Sequence, residues 1–271
     1  MRVLRAHGRR GRAAGPAVVL ALCAAVMMAC GGGPTGVAQS ALAPADLLLD
    51  PSALPVGFTA TELSVAQLVE ANASQLKASD ATEVSPPQCR PTADARLDPT
   101  LNEANSAVLG AQASFGGLVE LVTTQSRDIG ADIATMTGDC ARTETTISNG
   151  NLAGTRVVTQ HTEMAQPDLG HAADQVEQML LIKSATTTTL ADHSVRTRID
   201  YVGYAVVAGS HASADSARAT PVTVGLTVSG DPTEAVAPPA PAPMARPAMP
   251  EQDFVSLFGS ALTTAVQGRK S

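Results

Sequence analysis

The chain has no tryptophan, two tyrosines and four phenylalanines, so aromatic residues make up only 2% of it. A hydrophobic core must therefore be assembled from Val, Leu, Ile, Ala and Met. Positive charge is scarce where a folded domain would need it. The sequence carries 18 Lys and Arg against 25 Asp and Glu, for a net charge of −7. Five of the arginines (Arg2, Arg5, Arg9, Arg10 and Arg12) crowd into the first segment, which has no acidic residue. Without that segment, 13 basic residues face 25 acidic ones, a net of −12. Such a balance argues against nucleic-acid binding, which requires basic patches, and against electrostatic docking to anionic lipid. Signature motifs are missing as well. There is no GxSxG elbow, SxxK, HExxH, P-loop or GxGxxG, and no CxxC or Cys/His cluster. The expectation is a non-enzymatic protein with no cofactor and no metal.

What is present at the N-terminus is an export signal. A basic region to Arg12 is followed by Ala13–Met28, which carries no charge. This is the order of a signal peptide, and the run is short of the about 20 apolar residues of a transmembrane helix. Val26-Met27-Met28-Ala29-Cys30-Gly31 resembles the bacterial lipobox, with Met27 where that pattern prefers leucine. The resemblance implies cleavage between Ala29 and Cys30 and acylation of Cys30. Arg9-Arg10 suggests twin-arginine export, but Gly11 and Arg12 follow where apolar residues are needed, so Sec export is expected. The mature chain is then held at the cell membrane, on its extracytoplasmic side, by lipid rather than by charge, since two or more acyl chains anchor stably. Arginine outnumbers lysine fifteen to three and alanine is abundant, a skew that suggests a GC-rich genome.

Cys23 leaves with the signal and Cys30 is acylated, so Cys89 and Cys140 remain. In an oxidising compartment a disulfide is the natural reading, with a buried free pair or a two-cysteine metal site as alternatives.

The chain divides into a signal peptide (1–29), a lipidated flexible tether (30–45), a domain (46–229), a Pro/Ala-rich linker (230–252) and a C-terminal helix (253–271). In the domain, Ser64 and Gln67 have capping-box spacing, and Val65, Leu68, Val69, Asn72 and Leu76 recur as on a helix running to about Ala78. A loop-rich stretch follows Pro86-Pro87 as far as Gly117, then a short strand over Leu118–Thr124. Ser126 opens a second helix whose stripe Ile129, Ile133, Met136, Cys140 and Ile147 would bury Cys140. Strands are expected at Thr155–Met164, Val176–Ser184, Val195–Val207 and Val222–Val228, where apolar residues alternate. Thr186–Thr189 reads as a hydroxyl-rich strand edge or a glycosylated loop. Phe254, Leu257, Phe258, Ala261, Leu262 and Val266 form a helical apolar stripe, expected to dock on the sheet rather than on a partner. The fold class implied is α+β: an antiparallel sheet of about four to five strands with helices packed on one face.

The order of helix, Val84-Ser85-Pro86-Pro87-Gln88-Cys89, strand, Cys140-bearing helix, strands and terminal helix resembles the extracellular sensor-type domain of the mycobacterial kinase PknH. In composition the chain is similar to mycobacterial cell-envelope lipoproteins. The chain departs from the kinase domain in having one available disulfide rather than two. The resemblance implies a non-enzymatic domain with a cleft for an unidentified envelope ligand, whether small molecule, lipid or protein. From the residues alone, Arg196 and Arg198 on one strand face, with Asp200 next in line, are a candidate anion-binding pair, against the alternative of cross-strand ion pairing. Asp168 and His171 are a candidate acid–base or metal pair, against a solvated loop. A lipid carrier with an apolar cavity and a hydrolase with an unrecognised site are the competing functions.

Overall fold

The structure is a computed structural model that describes residues 43–80, 82–90, 100–125, 129–209, 220–235 and 245–268. Cys30, Ala29 and the tether to residue 42 lie outside the described residues. The described residues form one compact unit.

Ten strands make a single sheet: β1 (Thr59–Thr61), β2 (Thr82–Ser85), β3 (Ser106–Ala113), β4 (Gly116–Thr123), β5 (Arg142–Ile147), β6 (Arg156–Glu163), β7 (Val176–Thr189), β8 (Val195–Val207), β9 (Val222–Gly230) and β10 (Thr233–Ala235). Their order is β1-β3-β4-β9-β8-β7-β6-β5-β2, with β10 continuing along β8 where β9 stops. Every pairing is antiparallel. Among the described residues three α-helices accompany the sheet: α1 (Val65–Asp80), α2 (Ile129–Thr137) and α3 (Glu251–Gly268).

The expected α+β fold, with four to five strands and helices on one face, is therefore corrected to a mostly β fold with ten strands. Helices lie on both faces. The missing strands have physical causes. β3 is built largely of Ala, Val and Gly, whose weak alternation hides eight paired residues. β1, β2 and β10 have three or four residues each, too few for a period to register. β5 occupies the second half of the expected Cys140 helix. Its β-branched Thr143, Thr145, Thr146 and Ile147 favour a strand, and α2 stops at Thr137, before Gly138. The threonine run is neither edge nor loop: Thr186–Thr189 lies within β7, paired on both sides. β10 falls inside the expected linker.

One face of the sheet carries the core. Leu118 and Val122 of β4, Val224, Leu226 and Val228 of β9, and Tyr201, Ala205 and Val207 of β8 are buried there. α3 covers them with Phe254, Leu257, Phe258, Ala261, Leu262, Ala265 and Val266. Phe254 stacks on Tyr201 with ring centroids 5.2 Å apart. Phe258 lies on Gly203, where a Cβ would come within 2.9 Å of its ring, so the glycine makes room for the phenylalanine. On the opposite face α2 presses Ile129 onto Leu180, Ile182 and Val206. α1 is capped as its sequence implies: Gln67 N–H donates to Ser64 Oγ and Ser64 N–H to Gln67 Oε1.

Cys89 and Cys140 are joined, their Cα atoms 5.5 Å apart. Each lies four residues from the Ser85–Glu144 pair that ends the β2–β5 ladder, so the bond continues the register of an edge strand. Cys140 is buried, but in the turn after α2 rather than on the helix.

Two outcomes test this packing. Phe258→Ala should destabilise the protein by about 3–5 kcal/mol in urea unfolding. Replacing both cysteines by serine should cost about 4 kcal/mol, since the bond closes a loop of 51 residues.

Candidate functional site

The register of the sheet decides which polar side chains meet. On the face opposite α3, Ser229 of β9 pairs with Asp200 of β8, Asp200 with Ser184 of β7, and Ser184 with His161 of β6. Four polar residues thus form one row across four strands. His161 Nδ1 lies 2.8 Å from Ser184 Oγ. Arg198 Nε donates to Asp200 Oδ2 at 2.9 Å. The next row places Arg198, Thr186 and Thr159 together, the two threonine hydroxyls 3.2 Å apart. Beyond it Arg196 pairs with Glu234 of β10.

Burial shapes the charges. It holds the His161 imidazole below its ordinary pKa, so the ring is neutral at neutral pH. It also raises the Asp200 carboxyl, opposed by the Arg198 guanidinium and by hydrogen bonding from Ser229 and Gly230. Asp200 and Ser184 are buried, whereas Arg196 and Arg198 remain exposed at the rim. The result is a polar row in which the Arg196 and Arg198 guanidiniums are exposed, the His161 imidazole is half-buried, and the Ser184 hydroxyl and Asp200 carboxyl are buried. The exposed guanidiniums can donate hydrogen bonds to a hydroxylated or anionic ligand. The row is poorly arranged for nucleophilic catalysis. Ser184 is only 7% exposed, and Asp200 is registered against the serine rather than the histidine, so Asp200 does not orient the imidazole as the acid of a triad would.

The candidate pair Arg196 and Arg198 therefore lies on this face, each arginine with its own carboxylate partner. That is the ion-paired arrangement, with Asp200 joined to Arg198 along the strand and Glu234 joined to Arg196 across it. Asp168 and His171 fall at a 3-10 turn, Gly170–Gln175, where both are exposed and Asp168 Oδ1 accepts the Gly170 N–H. Among the described residues no group of three or more His, Cys, Asp or Glu could hold a metal ion. No helix among them is long and apolar enough to cross a membrane.

His161 and Ser184 were not singled out by the sequence, because only the β6–β7 register joins them. A second polar group was equally overlooked, although its signal was legible. Glu120 stands two residues from both Leu118 and Val122 along β4, on the same face, and so faces the core. It is fully buried, and its Oε2 accepts the Leu49 N–H at 2.9 Å. Oε1 makes no hydrogen bond among the described residues. The contact fixes the entering strap, whose Leu47 and Leu49 belong to the core.

In class this is an antiparallel open-sheet protein, closed on one face by its C-terminal helix and polar on part of the other. Comparison with known proteins adds little to that description. No family model matches the chain, and no curated protein matches it. A crystal structure of an uncharacterised Mycobacterium smegmatis protein, the Rv0999 ortholog, aligns with a TM-score of 0.37 at 13% identity, covering 79% of this chain and 92% of that one.

Burial pushes the Glu120 pKa up from 4.5 to about 7. A carboxyl raised in the folded state favours the protonated native form. Its stability contribution is whole below pH 4.5 and is lost as the pH rises through 7, by about 3 kcal/mol. Glu120→Gln should remove that loss. The difference in unfolding free energy between the variant and the native chain, measured across this range, should move in the variant's favour with rising pH.

Proposed function

We propose that the chain is an extracytoplasmic lipoprotein, anchored to the membrane by acylated Cys30, that acts as a non-enzymatic, sensor-like ligand-binding module. The observation that carries the reading is the polar row Asp200–Ser184–His161 with Arg198 at its rim. Buried polar groups cost free energy unless they are satisfied, and this row concentrates them on a face that helix α2 covers only in part. The lipobox-like Val26–Gly31 with Cys30 supports the extracytoplasmic placement.

The competing readings draw on less. A lipid carrier would need a cavity against the aliphatic strand face, and α3 fills that space with Phe254, Phe258 and Leu262, all fully buried. A hydrolase would rest on the His161–Ser184 contact, with the serine buried and Asp200 registered against the serine rather than the imidazole.

Two measurements test the proposal. The intact mass of protein from its native membranes should correspond to a chain beginning at a diacylated or triacylated Cys30. A thermal-shift screen of soluble glycans and small anions should return a stabilising ligand. That shift should disappear in the Arg196→Ala plus Arg198→Ala variant. If the double variant leaves every shift unaltered, this face is not the binding surface.

A further inference from the structure

We infer that the end of the sheet carrying Val56 and Phe115 is a lipid-contact surface that rests in the leaflet holding the Cys30 acyl chains. The inference rests on the lipoprotein reading and adds to it an orientation of the domain on the membrane.

Two turns meet at this end. Pro55-Val56-Gly57-Phe58 is a tight turn closed by Phe58 N–H to Pro55 O at 3.0 Å. Gly57 has φ +95°, a conformation that side-chain-bearing residues rarely adopt, and the turn leaves Val56 100% exposed. The second turn is the tip of the β3–β4 hairpin, where Phe115 is 41% exposed. The rings of Phe58 and Phe115 meet edge to face, 5.6 Å apart, so the two tips form one unit. Beside them runs an open groove of about 460 Å³, lined mostly by Pro55, Val56, Phe58, Met249, Pro250 and Leu257. A chain with only four phenylalanines thus spends one of them on an outward-pointing turn tip next to a fully exposed valine. Contiguous exposed apolar surface of this kind marks a contact site.

The occupant is argued from the anchor. The chain enters the domain at the C-terminal end of α3, where a Cβ on Gly268 would lie 2.7 Å from Leu47 Cδ2. The groove lies at the other end of α3, about 27 Å away for 18 helical residues. From Cys30 to Ala43 the chain can extend at most about 45 Å. The leaflet that holds the acyl chains is therefore within reach of the turn tips. Anchoring raises the local concentration of lipid enough for a small apolar patch to engage without strong affinity of its own. Charge does not contribute, because Asp253 lies in the groove and the mature chain is acidic.

The absence of tryptophan provides the test, since a single introduced tryptophan reports without background. Acylated Phe115→Trp protein is reconstituted in phosphatidylcholine vesicles, with Glu177→Trp, exposed at the other strand end, as the control. The expected result is a blue-shifted emission from position 115, quenched by brominated acyl chains, while position 177 emits as in water. Val56→Trp, at a fully exposed position, must give the same answer and covers the case in which Phe115→Trp perturbs the hairpin. If the protein floats with the vesicles but positions 56 and 115 emit as in water, the lipid-contact surface is wrong and the anchor stands. Protein that fails to float overturns the anchor reading and this one with it. A blue shift that appears without vesicles and grows with protein concentration overturns the proposal in favour of self-association.

Discussion

A ten-stranded sheet whose central strands are aliphatic on one face requires a cover, and the C-terminal helix provides it. α3 is the only one of the three described helices with a continuous buried stripe, running from Phe254 to Val266. Its two phenylalanines lie over Tyr201 and Gly203 of β8, near the middle of the strand order. The hydrophobic term scales with apolar area removed from water, and in this aromatic-poor chain much of that area depends on one helix.

Once α3 occupies one face, the remaining features fall into place around it. The entering strap Leu47–Leu49 fills the core beside the helix and is fixed by Glu120, a carboxyl whose burial makes its contribution depend on pH. The Cys89–Cys140 bond secures the far edge, where β2 has only four residues to hold it to β5. Polar groups are left for the other face, where α2 shields a small apolar cluster and the row from Ser229 to His161 lies beside it. This division explains why one protein carries both an aliphatic core on one face of the sheet and a row of polar residues on the other.

The long strands were legible because alternation over nine or more residues gives a strong periodic signal. β8 runs from Val195 to Val207, as its alternation implies, and β9 starts at Val222. The α1 cap and the α3 stripe were legible for the same local reasons. β3 and β5 were not, since Ala and Gly blur the alternation in one and the helical spacing of Ile129, Ile133, Met136 and Cys140 extends misleadingly into the other. Of the candidate site, Arg196, Arg198 and Asp200 could be placed on one face from the period of β8 alone. Their partners could not, because Glu234, Ser184 and His161 come from other strands.

The sequence alone determined the properties that depend on neighbours along the chain: the crowding of positive charge into the first twelve residues and the acidic balance of the rest, the capping box and the amphipathic C-terminal helix. Tertiary structure decided everything that depends on register. Cross-strand pairing is set by hydrogen bonds between residues far apart in the chain, and a shift of one position would turn each side chain to the other face. Only that pairing brought His161 to Ser184, set Arg196 against Glu234, and placed the Val56 and Phe115 turns at the same end of the sheet.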